Sequence, residues 1–158
     1  MKHAAIIGML AVSCVLSGAN DGHAAKWVKN ANDNPMIEAN YHDANSVKVV
    51  KKVLRWTEKT IIAKDKLRAN QNNLVKYEVC KQNIDQYGEV THHLIDYEIK
   101  KGEFRRVAKR NYNKDDKLIC TNKDMGKDYD KTWHPITRRS PIEETYFHLV
   151  TKYKIPDL

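Results

Sequence analysis

Two adjacent histidines in "EVTHHLIDYEIKK" and two adjacent glutamates in "RRSPIEETYFHLVTKY" are the residues of this chain best suited to chemistry. A histidine pair suggests metal ligation or proton transfer, and paired carboxylates suggest general acid–base work. The local spacing argues against both. On a strand, His92 and His93 project to opposite faces and cannot share one ion. His42, His134 and His148 are scattered, and no histidine–carboxylate spacing matches a metal site, so neither metal nor cofactor is expected. Glu143 and Glu144 begin a helix instead: Ser140 is a good N-cap, Pro141 takes the first helical position, and Glu143 completes a capping box. Both acids complement the positive helix N-terminus. A ribonuclease-like site using His92 or His134 stays open as the enzymatic alternative. The chain has no Gly-rich phosphate loop and no nucleophile elbow.

The remaining chemical signal is basic. Lys100, Lys101, Arg105, Arg106, Lys109 and Arg110 fall within one short stretch, with Arg138 and Arg139 as possible neighbours. Read as a regular strand, Arg106 and Arg110 share one face while Arg105 and Lys109 share the other. Charge on both faces suits an edge strand, where Lys and Arg prevent edge-to-edge pairing. The competing reading is a binding surface for an acidic protein or an anionic glycan. The net charge of +8 fits such partners, and also fits simple solubility. Nucleic acid is not the partner expected in vivo.

The first residues predict export. Lys2 precedes an apolar run, Ala4 to Leu16, too short to span a bilayer, and small residues follow it. Cleavage is expected near Ala24 or Ala25, making residues 1–25 a signal peptide and 26–158 one domain with a single core. The rival is lipoprotein processing at Cys14, the one route by which the chain would reach a membrane; Val15 and Leu16 continue the apolar run past that cysteine. Removal of one lysine and one aspartate leaves the charge unchanged. Cys80 and Cys120 then remain, an even pair that reads as a disulfide in an exported protein. Closing a loop of about 40 residues would stabilise the fold by roughly 4 kcal/mol. Without a CxxC, zinc is disfavoured.

The elements that must position these residues read mostly as strands. "AKWVK" is a first strand and "KNANDNPMIEAN" (Lys29 to Asn40) a turn-rich loop. "NYHDANSVKVV" reads as a strand, a turn and a restart. In "KVLRWTEKTIIA", Leu54, Trp56, Thr60 and Ile62 share a face that Glu58 interrupts. Three runs then resemble a meander. "NLVKYEVCKQ" places Val75, Tyr77 and Val79 together, and the next run places Ile95, Tyr97 and Ile99 together opposite Asp96 and Glu98. After the Gly-containing turn "KKGE", "EFRRVAKRNY" returns. A polar run beginning at Asn113 leads to "TWHPITRRSP". In the last helix Ile142, Tyr146, Leu149, Val150 and Tyr153 form one stripe. Burying it against a sheet would contribute roughly 10 kcal/mol gross. Short turns favour antiparallel pairing. The expected fold is therefore α+β: one small antiparallel sheet of five or six strands with an amphipathic C-terminal helix on one face.

Both ends of the domain carry a further pattern. "KWVK" followed by "YHDANSV" supplies Trp27, Tyr41, Asp43, Ser46 and Val47, and "WHPITRRSPIEETY" supplies Trp133, Ile136, Ser140, Pro141, Glu143 and Tyr146. In these residues the chain resembles the surface-adhesin protein E family of exported bacterial envelope proteins, across most of residues 26–153. The resemblance implies a small antiparallel sheet with a C-terminal helix on one face, displayed at the envelope, and adhesion to host extracellular-matrix proteins. Members usually carry a cysteine at the end of the last helix; this chain has "LVTKYKIPDL" there, which leaves Cys120 as the partner for Cys80. The expectation is a periplasmic, secreted or surface-exposed protein that acts by binding and is not an enzyme. A purely structural envelope protein is the third class.

Overall fold

A computed structural model describes residues 24–30, 37–126, 132–156 and 158. Residues 1–23 of the expected signal peptide, with Cys14, and the segments 31–36 and 127–131 lie outside them. The fold is α+β, built on one antiparallel sheet. β1 (Trp27–Lys29), β2 (Ile37–Asp43), β4 (Val53–Ile62), β5 (Val90–Lys100), β6 (Glu103–Asn113) and β7 (Leu118–Thr121) pair in the order β1-β2-β4-β5-β6-β7. Two short strands lie off this path: β3 (Lys48–Val50) pairs with β4, and β8 (His134–Pro135) pairs with β6. The helices are α1 (Leu67–Leu74), α2 (Glu78–Tyr87) and α3 (Pro141–Tyr153).

Turn chemistry sets the hairpins. Gly102, at φ 71°, takes the left-handed position between β5 and β6 at no side-chain cost. The β3–β4 turn puts Lys51 and Lys52 at φ 51° and 62°, a two-residue loop whose twist suits the strands although neither residue is glycine.

Alternation along β4 decides which face is covered. Leu54, Trp56, Glu58, Thr60 and Ile62 are all buried, and the residues between them are not. At one end of this face, Leu54, Trp56, Ile95, Tyr97 and Ile99 pack with Leu149 of α3. At the other end, Ile62 and Val90 pack with Leu74 of α1, Cys80 of α2, and Ile119 and Cys120 of β7. The sheet thus carries two apolar clusters on one face. Between them β4 contributes Glu58 and Thr60, which are polar.

α3 begins as its sequence dictates. Ser140 Oγ accepts from the Glu143 N–H at 3.3 Å, Pro141 occupies the first turn, and Glu143 turns back one residue further than a standard capping box, taking the Arg139 N–H at 2.5 Å. Ile142, Tyr146 and Tyr153 lie against the first cluster, whereas Phe147 is exposed. The Cys80–Cys120 disulfide is present, with Cα atoms 5.2 Å apart. No helix among the described residues is long and apolar enough to cross a membrane.

Four expectations need correction. "NLVKYEVCKQ" is not a strand but the end of α1 and the start of α2, so Cys80 sits on a helix, and Val75 and Val79 are exposed. The Lys29-to-Asn40 loop is shorter than expected, because β2 already begins at Ile37. β6 is not an edge strand: β5 lies along it on one side, while β7 and β8 pair with parts of the other. A bulge in the β5–β6 ladder at Val107 also shifts the facing of the arginines. Arg106 lies opposite Tyr97 and Lys109 opposite Ile95, so both take the covered face; Arg105 opposes Glu98 and takes the open one with Arg110.

Candidate functional site

The basic stretch does not form one patch. Arg105 donates from Nε to Glu98 Oε2 at 2.6 Å, and Arg55 Nε lies 2.8 Å from Oε1 of the same buried carboxylate. Arg110 reaches Asp96 Oδ1 at 2.6 Å, and that oxygen also accepts from the Thr57 hydroxyl at 2.8 Å. Lys100 pairs with Glu103 at 3.1 Å and lies over the Trp133 ring, which Arg105 also covers. Lys101 is an exposed turn residue. Of these residues Arg55, Thr57, Asp96 and Glu98 line a hollow of about 390 Å³ on the open face. There Arg55 is paired with Glu98, and Asp96 is paired with Arg110, so neither acid is left without a cation.

The histidines are equally separate. His92 stacks on Tyr112 and lies 3.1 Å from Asp116, on the open face. His134 is in β8 beside Phe104. His42 is fully buried: Nδ1 donates to Asn30 Oδ1 at 2.6 Å, which makes Nε2 the acceptor for the Tyr153 hydroxyl at 2.8 Å. This chain of bonds ties the end of α3 to β2. Burial, with His148 and Lys152 nearby, lowers the His42 pKa to about 4. Among the described residues no group of three or more His, Cys, Asp or Glu could hold a metal.

The gap between the two apolar clusters is a different kind of place. A cavity of about 360 Å³ opens there, floored by the sheet and flanked by the start of α3. Register brings its polar side chains together from four strands: Asn40 opposite Thr60, Glu58 beside Thr60 on β4, His93 on β5 and Arg106 on β6. Ile37, Ile95, Tyr97, Phe104 and Ile142 supply apolar wall. Trp56, stacked on Tyr97 with ring centres 5.1 Å apart, fixes one end of the floor.

Electrostatics in this cavity are unusual. Burial pushes the Glu58 carboxyl up to about 7, against the weaker pull of Asn40, Trp56 and Arg106. Burial, then Lys109 and the other neighbouring cations, push His93 down to about 3, so its ring is neutral. Asn40 Oδ1 and His93 Nδ1 are buried without a hydrogen-bond partner. Arg106 has no ion pair or hydrogen bond among the described residues. An exposed cation without an ion pair, a buried carboxyl that titrates near neutrality, an unpartnered amide oxygen and an unpartnered ring nitrogen line one space. That combination marks a site better than the basic stretch did.

These groups set the pH profile. Native Glu58 holds its proton from its ordinary 4.5 up to about 7, so the stability it contributes is complete below about 4.5 and is lost as pH rises through 7. His42 and His93 act oppositely: their contribution is full above 6.5 and falls as pH drops towards about 4 and about 3. Two histidines outweigh one glutamate in the overlap, so these groups place maximum stability near pH 6.5. Glu58→Gln should gain on the parent chain by up to about 3 kcal/mol between roughly pH 5 and pH 8. Denaturant melts at the two pH values measure this, and an unchanged difference would contradict the assignment.

Sequence reasoning reached one side of this site. The break at Glu58 in the β4 stripe is a local signal, but Asn40 ends a stretch that reads as loop, and a regular strand puts Arg106 on one face with Arg110. Comparisons with models of protein families, with curated proteins and with solved structures find no match.

Proposed function

We propose that this chain is an exported, non-enzymatic binding protein of the bacterial envelope, and that its ligand is a small molecule held in the cavity between the two apolar clusters. The resemblance to surface-adhesin protein E proteins supports the envelope setting, and the disulfide suits an oxidising compartment. The observation that carries the binding role is a space of ligand size with Arg106, in no ion pair, at one end and the unpartnered Asn40 Oδ1 at the other. Binding is favoured over catalysis because no histidine–hydroxyl hydrogen bond is recorded among the described residues that line the cavity. Neither His92 nor His134, the residues of the hydrolase alternative, lines the cavity.

Thr137 is exposed at the rim, so Thr137→Trp should close the mouth with little effect on the melt. Saturable binding of small ligands to the disulfide-bonded chain, lost in Thr137→Trp, is the expected result. Retention on host-matrix fractions that Thr137→Trp leaves intact, with no small-molecule binding, would place function on the outer surface instead. A second reading rests on Glu58, whose pKa near 7 suits a general acid. It requires turnover of a bound compound that Glu58→Gln abolishes without weakening binding.

A further inference from the structure

We infer that the cavity takes a small monoanionic organic acid, with its carboxylate on the Arg106 guanidinium, a hydroxyl or amide N–H donated to Asn40 at the opposite end, and an apolar spacer between. This rests on the cavity being a ligand site and names the class of ligand.

Three observations support it. The first is charge. Arg106 lines the cavity from a solvent-exposed position, with no ion pair among the described residues, whereas Arg55, Arg105 and Arg110 all lie against carboxylates. A guanidinium presents a fork of donors that matches a carboxylate better than any neutral group. The second is polarity at the far end. Asn40 is buried and its Oδ1 lacks a donor. Amide oxygens only accept, so the complementary group is a hydroxyl or N–H.

The third is separation. Asn40 lies on β2 and Arg106 on β6, with β4 and β5 between them. Three strand spacings across the sheet, with an offset of four residues along β5 from His93 to Tyr97, put their backbones roughly 20 Å apart, and the length of the arginine side chain closes part of that distance. Anion and donor must therefore sit at opposite ends of the ligand. Ile95, Tyr97 and Phe104 line the interval and favour an apolar, ring-sized middle.

Glu58 adds a pH dependence to this arrangement. It faces Asn40 from β2, Trp56 on its own strand and Arg106 from β6; His93 on β5 is neutral, and α3 presents only uncharged side chains to the cavity. While Glu58 keeps its proton, Arg106 is unopposed. Once ionised, Glu58 competes with the ligand's carboxylate for the same cation.

The test uses para-hydroxyphenylacetate as probe on the disulfide-bonded chain, by calorimetric titration. Its neutral amide, para-hydroxyphenylacetamide, and phenylacetate, which lacks the hydroxyl, are comparators. The acid should bind saturably. The amide should bind about ten- to hundredfold more weakly, and phenylacetate roughly two- to tenfold more weakly, as expected for losing a charged and a neutral hydrogen bond. Arg106→Gln should erase the preference for acid over amide, and affinity for the acid should fall from about pH 6 to pH 8 in the parent chain but not in Glu58→Gln. The amide comparison needs no variant, so misfolding of Arg106→Gln cannot obscure it. Equal binding of acid and amide, both lost in Thr137→Trp, would overturn the ligand class and leave the cavity as a site. Binding of the probes unaffected by Thr137→Trp would overturn both. Absence of any binding by the acid would also overturn the class.

Discussion

Leu149→Ala is expected to destabilise the domain by about 2–5 kcal/mol, because it removes a fully buried side chain from the contact between α3 and the sheet. Leu149 meets Leu54, Trp56 and the Ile95–Tyr97–Ile99 row, all of which are fixed by the β4–β5 ladder. Neighbours held that firmly cannot collapse into the space left behind, so the cost should fall in the upper part of the range. Glu144→Ala, one turn earlier and exposed, should cost well under about 1 kcal/mol. Denaturant melts of the two variants should differ clearly in midpoint with the same slope. Equal midpoints would mean that α3 is not held by its apolar stripe.

Removing the disulfide by Cys80→Ala with Cys120→Ala should cost about 4 kcal/mol, from the chain entropy of a loop of that size. The loss should concentrate in α2. Cys80 is its one buried residue, Ile84 is only partly covered, and Val79 faces water. A helix with so small an apolar face depends on its covalent tie. Hydrogen exchange should therefore accelerate at Glu78–Tyr87 before it does so in β5 or β6. Uniform loss of protection across the chain would show instead that the bond acts through the whole domain.

The sequence made some of this legible and hid the rest for identifiable reasons. α3 could be read to its first residue because a cap, a proline and an apolar stripe are local signals that agree. β4, β5 and β6 were legible because alternation is also local. α1 and α2 were not. Val75, Tyr77 and Val79 alternate as a strand would, and this masked Leu67, Leu74, Cys80 and Ile84, the residues that pack inward. The facing of Arg106 was out of reach for another reason. A bulge belongs to the pairing of two strands, and no feature of "EFRRVAKRNY" alone places it at Val107. The cavity combines both difficulties. Glu58 interrupts a stripe in plain view, but its meaning depends on Asn40, His93 and Arg106 arriving from three other strands.

The polar interval in β4 also has a consequence for how this domain could be improved. Natural proteins are seldom at their stability optimum, and sites that bind often carry groups a pure scaffold would discard. Glu58→Leu combined with Thr60→Val would extend the apolar row from Leu54 to Ile62 and fuse two half-cores into one. The hardened variant should melt at a higher temperature than its parent, with the widest margin in alkaline buffer, and its affinity for the acid probe should no longer fall with pH. An engineer selecting for heat resistance alone would be drawn to those two positions, and would select away the pH-responsive group of the proposed site.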